Sequence, residues 1–76
     1  MNPRLPVISG DKLIRALAKL GYEVVRQKGS HARLRHATDT KKLPITVPLH
    51  DEIAFGTLRR ILRDAGVTVE QLMANL

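Results

Sequence analysis

Gln27-Lys28-Gly29-Ser30-His31 constrains the fold of this chain more than any other stretch. A β-branched run, Tyr22-Glu23-Val24-Val25-Arg26, ends there, the chain reverses over a glycine, and Ala32-Arg33-Leu34-Arg35 then alternates apolar with cationic residues. This pattern predicts a β-hairpin, with strand one at about Tyr22 to Gln27 and strand two at His31 to His36. Lys28-Gly29-Ser30 supplies the turn, because glycine reaches positive φ without steric cost and serine can hydrogen-bond back to the turn backbone. Side chains alternate between the faces of a strand, so His31, Arg33 and Arg35 share one face and Ala32, Leu34 and His36 the other. A titratable imidazole thus stands in line with two guanidiniums.

The remaining elements follow from caps and periodicity. Ser9 is an N-cap, Asp11 suits the first turn of a helix, and Ile8 and Leu13 occupy the positions of a hydrophobic staple. Leu13, Ile14, Leu17 and Leu20 form one stripe and Gly21 a terminator, giving a helix over about residues 10 to 20. Ala37 to Lys42 is a polar loop. Beyond it Leu43, Ile45, Val47 and Leu49 alternate with Pro44, Thr46, Pro48 and His50, which predicts a third strand from Leu43 to Leu49. Its two prolines make it an edge strand.

Asp51 to Phe55 is a linker with weak signals, and Gly56-Thr57 opens a second helix, Leu58 to Ala65, ended by Gly66. Leu58, Ile61, Leu62 and Ala65 face inward there, and Arg59, Arg60 and Arg63 outward. Thr68-Val69-Glu70-Gln71 is a capping box for a short third helix reaching about Asn75. The expected order is α-β-β-β-α-α, an α+β fold with the helices packed on one face of a three-stranded antiparallel sheet. The opposite face is open and basic.

A chain of 76 residues is expected to form a single domain, here 1–76 with residues 1–8 as an N-terminal extension. Thirteen Lys and Arg against seven Asp and Glu leave a net charge of +6, which favours a polyanionic partner over a purely inert surface. The absence of cysteine excludes disulfides, thiolate zinc sites and cysteine nucleophiles. Two prolines interrupt the first eight residues, unlike the apolar core of a signal peptide, and no stretch approaches a membrane span in length. A cytoplasmic protein is expected.

His31 is the leading candidate for chemistry, although a histidine opening a strand is often only a polar surface residue. The 2′-hydroxyl of RNA can attack the adjacent phosphate, and a histidine can serve as base towards that hydroxyl or as acid towards the leaving 5′-oxygen. Cationic neighbours stabilise the charge on the phosphoryl oxygens, and no metal is required. Lys28, Arg33 and Arg35 flank the histidine and are the expected phosphate ligands. His50, Arg59 and Arg60 are secondary candidates, since a loop histidine and a solvated helix face explain them equally well.

His36 shares the apolar register and reads as a partly buried, hydrogen-bonded residue. A zinc site of His31, His36 and His50 is disfavoured by the opposite strand parity of the first two. Ser30 has no orienting carboxylate that would make it a nucleophile. The two aromatic residues, Tyr22 and Phe55, read as core, so base stacking is not indicated.

Leu17 to Gly21, Val25 to His31 with its Gly29-Ser30-His31, Val47-Pro48-Leu49-His50, Gly56-Thr57-Leu58-Arg59-Arg60-Ile61-Leu62 and Ala65-Gly66 together resemble the HicA family of bacterial toxins, partners of HicB antitoxins. The resemblance runs from about Ser9 to Leu72, and Asp51 to Phe55 departs from the Gly- and Lys-containing linker usual there. It implies a fold like the double-stranded-RNA-binding domain, cleavage of messenger RNA without a cofactor, His31 as the catalytic residue within a motif that includes Gly29 and Ser30, and neutralisation by a HicB-like antitoxin. The alternatives are a module of the same fold that binds RNA without cutting it, and a basic interaction domain for an acidic protein.

Overall fold

The computed structural model describes residues 4–76, so Met1 to Pro3 of the N-terminal extension lie outside the described residues. The elements are α1 (Gly10–Lys19), β1 (Tyr22–Lys28), β2 (His31–His36), β3 (Ile45–Pro48), α2 (Phe55–Ala65) and α3 (Val69–Ala74). The three strands form one antiparallel sheet in the order β1-β2-β3, and the α+β order is the one expected. Among the described residues no helix is long and apolar enough to cross a membrane.

Local chemistry accounts for most element boundaries. The Ser9 hydroxyl accepts from the Lys12 N–H at 3.2 Å and starts α1, and Ile8 and Leu13 are both buried as a staple requires. Thr68 and Gln71 close a reciprocal capping box at the start of α3. Gly66 ends α2 in the left-handed region, and the backbone N–H groups of Gly66 and Val67 satisfy the carbonyls of Arg63 and Leu62.

Helices and sheet meet on one face. Ala32 and Leu34 of β2 and Ile45 and Val47 of β3 are buried against Leu13, Ala16 and Leu17 of α1 and Leu58, Ile61, Leu62 and Ala65 of α2, with Leu72 of α3 in the same core. Gly10 is required where α1 meets the end of β3: a Cβ there would collide with the Pro48 carbonyl, while its N–H donates to the His50 carbonyl at 2.9 Å. That contact ties the first turn of α1 to the segment leaving β3.

Four expectations need correction. The third strand is Ile45–Pro48, shorter than Leu43 to Leu49, and Leu43 is 57 % exposed because it precedes the point where the chain enters the sheet. α2 begins at Phe55 instead of Leu58; its first turn has no side-chain cap and projects Phe55 into solvent, so Phe55 is not core. The Asp51 to Phe55 segment is more than a linker, since Ile53 is buried and its N–H donates to the Ile8 carbonyl at 3.0 Å. The hairpin loop is the pair Gly29-Ser30, with Lys28 already in β1.

Candidate active site

The hairpin places the candidate residues. Gly29 has φ +58 and Ser30 has no positive φ, the pattern of a two-residue type II′ loop, whose twist matches that of the flanking strands. Lys28 and His31 therefore face each other directly across the ladder. Ser30 acts through its backbone: its carbonyl accepts from the Leu49 N–H at 2.7 Å, which fastens β3 beside the loop. The ladder then sets His31 opposite Pro48 and Arg33 opposite Thr46.

On the outer face His31, Arg33, Arg35 and Thr46 are all exposed. Arg33 donates from its guanidinium to the Thr46 hydroxyl at 2.9 Å, a bond that pins the arginine over the β2–β3 seam. Among the described residues the His31 ring has no hydrogen-bond partner, and no buried side-chain polar atom lacks one. His31 sits in a shallow depression lined by Arg26, Lys28, Arg33 and Thr46. The lining is cationic and hydroxylic throughout, so it suits an anion that also exchanges protons with an imidazole.

Arg26 is the residue that alternation misses. The register steps from Val24↔Leu34 to Arg26↔Arg33, so β1 holds one residue more than β2 over that interval, a β-bulge at Val25. Strict alternation from the buried Tyr22 would turn Arg26 and Lys28 towards the helices. The extra residue reverses that parity and delivers both to the His31 face. A signal existed in the sequence, since two cations in the inward register of a half-buried strand conflict with burial.

The other candidates fall elsewhere. His50 is exposed beyond the end of β3 and does not line the depression; its carbonyl holds α1. Arg59 and Arg60 lie on the exposed side of α2, in the helix layer across the sheet from His31, and Arg59 lines a groove with Arg4, Leu5, Phe55 and Arg63.

His36 has a structural place. Its Nε2 lies 3.1 Å from the Leu20 carbonyl, and its Nδ1 accepts from the backbone N–H groups of Thr38 at 3.3 Å and Asp39 at 2.9 Å. Those partners require the Nε2–H tautomer, and the ring also packs edge-on to Tyr22 with centroids 5.2 Å apart. No group of three or more His, Asp or Glu with metal-binding geometry occurs among the described residues.

An α-β-β-β-α core with a basic open sheet face and a histidine after a Gly-Ser loop defines the class: a small domain of the double-stranded-RNA-binding shape. The family model described as HicA toxin of bacterial toxin-antitoxin matches residues 10–67, most of the chain. The chain belongs to the HicA toxin family. No curated protein matches it significantly.

Proposed function

We propose that this chain is a ribonuclease toxin that cleaves messenger RNA through His31. The observation that carries the reading is the exposed His31 ring in a depression walled by Arg26, Lys28, Arg33 and Thr46. In that depression a phosphodiester meets cations on several sides, and they offset the charge that accumulates on its non-bridging oxygens. The 2′-oxygen forms a bond to phosphorus as the bond from phosphorus to the 5′-oxygen breaks. The 2′-hydroxyl loses its proton, the 5′-oxygen gains one, and the products are a 2′,3′-cyclic phosphate and a 5′-hydroxyl. The imidazole is placed to serve either transfer. Lys28, Arg33 and Arg35 hold the phosphates, with Gly29 and Ser30 shaping the loop that presents the histidine.

A HicB-like antitoxin is the partner this reading requires. An acidic protein lying over the open sheet face would exclude phosphate from His31, and the net charge of +6 would speed its association. Purified protein incubated with one structured messenger RNA, beside His31→Ala, tests the activity. The expected result is fragments ending in cyclic phosphate from the wild type only. Salt-dependent binding without cleavage would make the chain an RNA-binding module instead.

A further inference from the structure

We propose that the bulge at Val25 builds a second nucleotide subsite beside His31, lined by Val25, Arg26, Arg33, Arg35 and Pro44, which takes the next phosphate and sugar of a single RNA strand. The proposal rests on the ribonuclease reading and adds where the substrate continues. Two depressions lie side by side on the outer face: one holds His31, the other holds these five residues, and Arg26 with Arg33 forms the wall they share.

The arrangement has a direction. His31, Arg33 and Arg35 recur every second residue along β2, a step of about 6.7 Å at ordinary strand rise, comparable to the phosphate repeat of an extended polynucleotide. On the other side of His31 the chain enters the Gly29-Ser30 loop, which carries no cation. RNA seated at His31 therefore finds its next charged contacts towards Arg35. Val25, 47 % exposed, and Pro44 add apolar surface for ribose carbons or a base face.

A second observation points to an anion. Arg26 and Arg33 are directly paired across the ladder, a like-charge juxtaposition that disfavours the empty fold. Arg33 turns to Thr46, and no acidic side chain lies within ion-pair distance of either arginine among the described residues. Glu23 is the carboxylate on this face; it pairs in register with Arg35, at the far end of the second depression, without forming an ion pair. A phosphate between the arginines relieves the repulsion.

The test uses short single-stranded oligoribonucleotides of mixed sequence carrying 2′-O-methyl at every sugar, which binds without being cut, and measures affinity as length grows by one nucleotide at either end. The wild type is expected to gain about tenfold from one added nucleotide at one end, the value of a charge-assisted contact. Arg26→Gln is expected to lose that gain and to flatten the salt dependence by about 0.7 in logarithmic slope, while melting no lower than the wild type because the like-charge pair is gone. Arg35→Gln is expected to lose the same gain. Arg15→Gln, an exposed change on α1 in the helix layer, should keep it.

If the wild type cleaves RNA and the length gain survives both Arg26→Gln and Arg35→Gln, the subsite is wrong and the ribonuclease reading stands. A lower melting point for Arg26→Gln with the gain intact makes Arg26 a structural residue and overturns the subsite equally. If the wild type neither cleaves messenger RNA nor binds these oligomers at any length, both fail together; cleavage without a length gain at either end overturns the subsite alone.

Discussion

The two ends of β2 carry the same side chain in opposite circumstances. His31 stands on the open face without a hydrogen-bond partner among the described residues, whereas His36, five positions later and of opposite parity, has both ring nitrogens engaged and a tyrosine against its edge. One imidazole is open to solvent; the other is committed to closing the junction between α1, β1 and the loop after β2. Histidine by itself therefore says nothing of catalysis in this chain. Strand parity and the supply of backbone partners divide the two roles.

The sharpest way to break this contrast is to remove each ring in turn. His31→Ala is expected to lower RNA cleavage by about 10² to 10⁴, the usual cost of losing a general acid or base, with circular dichroism and melting point unchanged. Growth arrest as strong as the wild type's from a folded His31→Ala protein would remove the catalytic assignment. His36→Ala should do the converse. Removing the partner of the part-buried Leu20 carbonyl and of the exposed Asp39 N–H costs about 1 kcal/mol, a fall of several degrees in melting temperature for a domain of this size. Cleavage per folded molecule should persist, and a His36→Ala protein that is stable but inactive would reverse the two roles.

Between the histidines lie Arg33 and Arg35, which share the parity of His31. Their joint replacement by alanine should weaken RNA binding and its dependence on salt, each phosphate contact contributing about 0.7 to the logarithmic slope for a single strand. Binding titrations at several salt concentrations measure this. An unchanged slope would move the RNA to the helix layer, where Arg59, Arg60 and Arg63 are exposed.

Much of this contrast was readable from residue order, because β2 and β3 alternate cleanly and the caps of α1 and α3 are side-chain signals that act within a few residues. What escaped has one physical origin in each case. The bulge at Val25 shows in the sequence only as a conflict, since strict alternation from Tyr22 turns Arg26 and Lys28 inward while the two adjacent valines leave the point of the register shift open. Phe55 looked like core by its type, but an uncapped helix start placed it outside. Leu43 matched the period of β3, yet the ladder begins only at Ile45, where a partner on β2 exists. Pairing partners and bulges belong to the sheet as a whole, and no single strand encodes them.

The smallest effect expected at neutral pH tests the closed end through Tyr22, the partner of His36 in both register and ring contact. Its hydroxyl lies 3.3 Å from the Leu43 carbonyl and 3.5 Å from that of Ala65. Burial, and secondarily the carboxylates of Asp39 and Asp64, raise its pKa above the ordinary 10.0. The fold therefore favours the neutral phenol. Below the ordinary value both folded and unfolded chains hold the proton, and this contribution to stability is fully present. Above it the unfolded chain releases the proton first, so stability falls as pH rises through the folded value. Tyr22 is the only tyrosine and the chain has no tryptophan, so phenolate absorbance reports this one group. In the folded protein it should appear above pH 10.0 and rise together with loss of circular dichroism, while the urea-unfolded chain titrates at the ordinary value. His36→Ala opens one wall of the pocket and should bring the folded midpoint back towards that of the unfolded chain. A folded wild type that titrates like the unfolded chain would mean that the His36 end is as open to water as the His31 end, and the contrast between them would rest on hydrogen bonds alone.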